Sequence, residues 1–379
     1  MSDGMHILIH IGCASGHNIV PRRYSLIRQR YVDQLGEIPM CVIEFTLISL
    51  TDCTLRGDLT PTLRGAIGWA FSEVGCLHEC SSRANKLGRG KKTAKKSSTK
   101  HCEVERCPFE RAFNGGGWPE RGLRVTPQGY RLSAPIHLED KALKAGDELL
   151  FSLTLFGEAS QYAPMWISAV IKATMNGLTS AHYRFYVAQA KEVIYGKMLY
   201  ERCDPKPPSA VTSTLETISS LTDIPKRGLD WSEVGVRVRV HRPLILREID
   251  QTPTLKQLCR ASLRRAHGLY NRFVGPLEHP LSGDEIDELA ASQSYGQLHL
   301  IKKDRYSSTK RGSIPQNGFI GERVYTQIGS PLWVYKVLSL AAHQGLGQQT
   351  NMGLGSLDVE LIDLSAGDKV LTQTTSFHR

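Results

Sequence analysis

The chain has 379 residues, 41% of them hydrophobic and 22% charged, and its 47 Lys and Arg against 37 Asp and Glu give a formal net charge of +10. This composition excludes a disordered or low-complexity chain, and the length allows two domains with hydrophobic cores. A cationic excess favours a polyanionic partner, since each neutralised phosphate releases condensed counterions, and nine cysteines, an odd number, fit a reduced cytoplasm better than a disulfide framework.

The apolar run Ile7–Ile11 is broken by His10 and lacks a basic flank, so it does not read as a signal peptide. No uncharged stretch reaches the ~20 residues that span a bilayer. The reading is a soluble, cytoplasmic protein without a membrane partner. Residues 1–39 show no clean period, although Arg22, Arg23, Arg28 and Arg30 make them basic. Cys41–Ile48 predicts a strand, and Leu63–Phe71, after Pro61, predicts a short apolar helix rich in small residues.

Residues 81–101 carry Lys91, Lys92, Lys95, Lys96 and Lys100 among Gly, Ser and Thr. With almost nothing to bury, they predict a mobile loop, either a solvated insertion or a basic arm on nucleic acid. Cys76, Cys80, Cys102 and Cys107 flank it. Four thiolates can hold a structural zinc, but their spacings are looser than Cys-x2-Cys, and free cysteines are also common core residues. Leu149–Phe156 then predicts a buried strand. A helix follows through Met165–Met175, stopped by Asn176-Gly177, and a strand over Tyr183–Ile194. Pro205–Ser209 opens a linker over 204–232, which divides the chain into an N-terminal domain of residues 1–203 and a C-terminal domain of residues 233–379.

In the second half, Val236, Val238 and Val240 alternate with Arg237, Arg239 and His241. Three basic or titratable residues in a row on one face suggest a sheet surface that meets phosphate. Residues 255–273 predict a helix with Leu255, Leu258, Cys259, Ser262, Ala266, Leu269 and Phe273 inside. Lys256, Arg260, Arg264, His267 and Asn271 share an outer stripe, with Arg265 and Arg272 beside it. No acidic residue supplies the i,i+4 pairing of an ordinary solvated face, so the stripe points to nucleic acid. A capping box at Ser282–Glu285 predicts a second short helix, making a helical finger over about residues 252–294.

Strands follow near 295–306 and 318–328, then a helix opening at Pro331 and a closing strand over Leu357–Ile362. Between the last two lies Gly345-Leu346-Gly347-Gln348-Gln349-Thr350-Asn351-Met352-Gly353-Leu354-Gly355. Its glycines allow tight turns and close approach of a ligand. The loop follows a helix and precedes a strand, with no Lys-Ser/Thr after it, so it is not a dinucleotide or P-loop fingerprint.

Gly345–Gly355 resembles the C-terminal signature of the CRISPR repeat-processing endoribonucleases of the RAMP group, a repeated Gly-hydrophobic-Gly pair. Arg305–Ser308 with Gly318–Glu322, the helix Leu255–Phe273, Leu63–Gly68 and Cys107–Phe113 are similar to other parts of that family, so the resemblance covers most of residues 40–362. It implies an α+β fold of two tandem ferredoxin-like (RRM-like, RAMP) domains with RNA across their basic face. The activity it implies is metal-independent cleavage of CRISPR repeat RNA by its own 2′-hydroxyl, leaving a 2′,3′-cyclic phosphate and a 5′-hydroxyl. It further implies a crRNA that stays bound, no cofactor, and other subunits of a CRISPR ribonucleoprotein as partners. The family's histidine base has no aligned counterpart. His17 is the nearest candidate, and with its arginine-rich helix the chain looks most like the type IV branch.

Arginine suits phosphate stabilisation through its fork of donors but hardly deprotonates. Arg23 and Arg242 are therefore the candidates for that role and His17 for the base. The candidate RNA-binding residues are Arg22, Arg237, Arg239, Lys256, Arg260, Arg264, Arg265, Arg272, Gly345, Gly347, Gln348, Gln349, Asn351, Gly353 and Gly355. The alternative is a non-catalytic RAMP subunit that only binds RNA. What separates the two readings is a residue able to move a proton.

Overall fold

A computed structural model describes residues 22–75, 107–114, 127–135, 141–203, 213–214, 230–247, 249–277, 286, 292–307 and 312–374. The loop at 81–101, nearly all of the linker at 204–232 and the Ser282–Glu285 cap lie outside them. In chain order the first half comprises α1 (Arg22–Gly36), β1 (Pro39–Ser49), β2 (Cys53–Thr54), α2 (Leu59–Gly75), β3 (Tyr130–Ser133) and β4 (Ala142–Leu143). It continues with β5 (Glu148–Phe156), α3 (Ala163–Asn176), β6 (Phe185–Glu192), β7 (Met198–Glu201) and β8 (Ser213–Thr214). The second half comprises β9 (Val234–Leu244), α4 (Leu255–Phe273), β10 (Gln293–Ile301), β11 (Asp304–Ser307), β12 (Gly312–Pro315), β13 (Gly318–Thr326), α5 (Pro331–Gln344), β14 (Leu357–Asp363) and β15 (Lys369–Thr374).

The first sheet has the order β3-β5-β1-β6-β7, with β8 also on β1, and the second β10-β13-β9-β14-β15; every pairing is antiparallel. Without the edge strands β7, β8 and β15, each half is a βαββαβ unit whose fourth, first, third and second strands lie side by side. That is the ferredoxin-like arrangement, twice. The two-stranded ribbons β2–β4 and β11–β12 are additions to it.

Local chemistry sets the ends of the helices. Gly177, at φ 100°, follows the last turn of α3, where a Cβ is poorly tolerated. Thr254 and Gln257 form a reciprocal capping box that starts α4. Pro331 opens α5, where its missing N–H costs nothing. α1 was not anticipated: its Tyr31, Val32 and Leu35 are buried at helical spacing, within an otherwise basic segment.

The two cores share a strand. Cys41, Ile43, Phe45 and Leu47 of β1 pack into the first core, whereas Met40 and Val42 pack into the second with Val236, Val238 and Val240 of β9. A strand buried on both faces couples the halves, each fully buried Val or Leu contributing roughly 1.5–3 kcal/mol over its exposed state. In the first core Phe71, Phe113, Tyr130 and Trp166 stack with centroids as close as 4.7 Å. Gly68 of α2 makes room for this cluster, since a Cβ there would sit 2.2 Å from Cζ of Phe113. The small residues of Leu63–Gly68 and the aromatics of Cys107–Phe113 are thus two sides of one contact.

Candidate functional site

The two halves meet along a seam built around three arginines. Arg242 of β9 is 4% exposed; its Nη1 donates to Oδ1 of Asp58 at 2.9 Å and Oγ1 of Thr60 at 3.2 Å, and its Nη2 donates to the Ala134 carbonyl. Asp58 also accepts from the Thr60 amide at 2.9 Å, which suits an anion at the start of α2. Arg131 of β3 is fully buried and donates from Nη1 to the carbonyls of Ala342 and His343 at 3.0 and 3.1 Å. Arg265 of α4 donates from Nε to the Gln344 carbonyl at 3.0 Å.

These are the last carbonyls of α5, which lack partners within the helix and carry the negative end of its dipole. Two guanidinium groups, one from each half, close that end. Burial pushes Arg131 down to about 9, helped by the charges of Arg265 and Arg242, and pushes Arg265 down to about 10. His343 is pushed down to about 3, first by burial and then by Arg131.

The glycine loop follows directly. Gly345, Gly347, Gly353 and Gly355 all have positive φ, between 65° and 85°. A Cβ on Gly347 would lie 2.4 Å from the Ile245 carbonyl oxygen, and one on Gly353 would lie 2.9 Å from that of Leu132 in the first half. Backbone carbonyls thus crowd Gly347, Gly353 and Gly355, and the side chains of Thr350 and Arg131 crowd Gly345. The Gln348 amide donates to the Ile245 carbonyl at 2.9 Å, Gln349 accepts from Gln316 at 3.2 Å, and the Asn351 amide group donates to Gln128. The Gln348 side chain is exposed.

Beside this loop a cavity of about 180 Å³ is lined by Asp58, His241, Arg242, Pro243, Ile301, Lys303, Gln316, Ile320 and Leu354. Asp58 comes from the first half and the rest from the second. His241 and Lys303 were not among the candidates. His241 was visible as one of three outward residues of β9, but no sequence pattern marked the cavity beside it.

The remaining candidates divide. His17 lies outside the described residues, as do the side chains of Arg22 and Arg23, whose backbone opens α1. Arg237 pairs with Glu360 at 2.8 Å, Asp368 at 3.1 Å and Glu322 at 3.3 Å, and Arg239 with Glu322 at 2.7 Å and Glu360 at 3.3 Å. The outer face of β9 was expected to be basic. It is a mixed-charge ladder, because β13 and β14 set carboxylates opposite the arginines. On α4, Arg264 is exposed, and Lys256 and Arg260 are half-buried. Arg265 turns inward, and Arg272 donates to the carbonyls of Pro127 and, at 3.0 Å, Arg111. The stripe residues Lys256, Arg260 and Arg264 thus keep some exposure, while the flanking Arg265 and Arg272 turn to the seam, where Phe273 also packs over Gly157. α4 is the first crossover helix of the second unit and packs into its core; residues 278–285 and 287–291 of the expected finger lie outside the described residues.

Cys107 is buried in the first core, whereas Cys76, Cys80 and Cys102 lie outside the described residues. Among the described residues no three His, Cys, Asp or Glu side chains gather as metal ligands, and no helix is long and apolar enough to cross a membrane.

Residues 38–207 match a family described as an N-terminal domain, and residues 238–357 match the CRISPR-associated endoribonuclease Cas6 family. No curated protein matches the sequence. A chain of a partial Cas6-RT-Cas1–Cas2 complex is similar in structure at 11% identity and a TM-score of 0.51, over 86% of this chain and 46% of that one. The chain thus spans under half the length of that protein. Thermus thermophilus Cas6 is similar at 13% identity and a TM-score of 0.44, over 84% and 98% of the two chains. A RAMP protein binding different RNA substrates is similar at 11% identity and a TM-score of 0.40, over 85% and 99%. The chain thus carries a match to the Cas6 endoribonuclease family over residues 238–357 of its second half, within a fold of two ferredoxin-like units in tandem.

Proposed function

We propose that the chain binds CRISPR repeat RNA, cleaves it within the repeat and holds the product. The observation that carries this reading is the Cas6 match over residues 238–357, which spans most of β9, all of α4 and the glycine loop. Cleavage proceeds without a metal: the 2′-hydroxyl attacks its own phosphate, and the products are a 2′,3′-cyclic phosphate and a 5′-hydroxyl. Such a reaction needs a proton acceptor, a proton donor and cations for the charge that builds on phosphorus. Arg23 and His17 are proposed for the cation and the acceptor. Arg242, buried against Asp58, is assigned to holding the halves together. Other subunits of a CRISPR ribonucleoprotein complete the assembly that receives the product.

The test is incubation of the purified chain with its own repeat RNA in EDTA. Cleavage at one site, abolished by a 2′-deoxy substitution at the scissile nucleotide, is expected. Undiminished cutting of the deoxy substrate would overturn the mechanism. Tight binding with no cutting under any condition would favour the non-catalytic RNA-binding subunit.

A further inference from the structure

We propose that His241 is the general acid that protonates the 5′-oxygen leaving group, and that the cavity between the halves receives the scissile phosphate. The proposal rests on the reading of the chain as an RNA-cleaving enzyme. Of the outward residues of β9, Arg237 and Arg239 lie within the carboxylate ladder, while His241 borders the cavity. Its Nε2 lies 2.9 Å from Oδ2 of Asp358, whose side chain is fully buried, while the histidine keeps 24% exposure.

That arrangement is suited to proton transfer. The buried carboxylate beside Nε2 acts on the ring through its charge rather than through an aligned hydrogen bond, and Nδ1 is the nitrogen assigned to exchange a proton with a bound group. Lys303 also lines the cavity and brings it a positive charge, and Ile301, Ile320 and Leu354 offer apolar surface for a ribose or base. Arg242 and Asp58 join its two sides. In the step, the O2′–P bond forms as the P–O5′ bond breaks. The 2′-hydroxyl proton passes to the base, and the imidazolium of His241 gives its Nδ1 proton to the departing 5′-oxygen. Solvent then reprotonates the ring.

A purely structural His241–Asp358 pair would be the last rung of the ladder, and the choice of substrate distinguishes the two roles. A 5′-bridging phosphorothiolate RNA has a thiolate leaving group that departs without a proton. For His241→Gln in the full chain, cleavage of ordinary repeat RNA should fall by about 10²–10⁴-fold, with RNA affinity unchanged. The same variant should cut the phosphorothiolate RNA at close to the parental rate. Asp358→Asn should lower the rate at saturation while leaving KM unchanged.

An equal loss on both substrates, or the parental rate on both, would overturn the assignment and leave the endoribonuclease reading intact. If the parental chain cut neither substrate, that reading would fall and the assignment with it. Retained RNA affinity in His241→Gln reports that the variant is folded.

Discussion

Arg242 and Asp58 are 184 positions apart in the chain and meet at 2.9 Å across the seam, with the arginine 4% exposed. Removing one partner of a buried pair leaves an uncompensated charge, which costs about 3–5 kcal/mol. Arg242→Ala should therefore lower stability by that order in urea unfolding, and Arg242→Met with Asp58→Asn should recover part of it. A variant that folds normally but no longer cuts RNA would return Arg242 to the reaction.

Gly65 and Gly68 lie one turn apart on α2 and should respond oppositely. Nothing lies within 4 Å of a Cβ at Gly65, so Gly65→Ala gains helix propensity, stabilising by about 0.5–1 kcal/mol. At Gly68 a Cβ would collide with the Phe113 ring, and Gly68→Ala should cost about 1–3 kcal/mol. Equal midpoints for the two variants in thermal unfolding would count against the described contact.

His343 is pushed down to about 3 by burial and by Arg131, so the folded chain holds it neutral while the unfolded chain protonates it near 6.5. Between those values the unfolded state binds more protons. This histidine's contribution is therefore complete above about pH 6.5 and falls by about 1.4 kcal/mol per unit as pH drops toward 3. Stability of the parental chain should decline from pH 6.5 to pH 5. His343→Gln should decline less over the same range, and parallel slopes would show that His343 is not the titrating group.

Among the α4 cations, exposed Arg264 and half-buried Arg260 are placed to reach a polyanion without dismantling the seam. Replacing both with Glu should weaken RNA binding and flatten the dependence of log K on log salt, since each lost phosphate contact lowers that slope. Arg265→Glu should instead unfold the protein more readily, because it opens the end of α5. Unchanged affinity of the double variant at low and high salt would mean that the stripe is only solvated.

Arg23→Ala tests the proposed charge stabiliser in the N-terminal segment. It should slow cleavage by about 10²–10³ with little change in RNA affinity, the pattern of an interaction made in the transition state. His17→Ala tests the base and should slow both the ordinary and the phosphorothiolate substrate, unlike His241→Gln. If Arg23→Ala and His17→Ala both cleave at the parental rate, neither residue acts in the step.

By itself the sequence determined the elements whose patterns are local. The alternation of Val236, Val238 and Val240, the two-faced helix at 255–273 and the stop at Asn176-Gly177 all recur in β9, α4 and α3. Propensity, period and capping act over a few residues, so they survive without neighbours. α1 was missed because Arg28 and Arg30 obscure the Tyr31, Val32 and Leu35 stripe, and β3 because four residues hold too short a period.

Only the tertiary structure decided what the charges do. Arg237 and Arg239 look unopposed along β9, but Glu322 and Glu360 stand beside them on strands that are distant in sequence. Arg131 carries no local signal, yet it closes a helix more than 200 positions away. Charge compensation depends on distance in space. The strand order of the two sheets and the packing of one unit against the other set that distance, leaving Arg242 buried and His241 at the edge of a cavity.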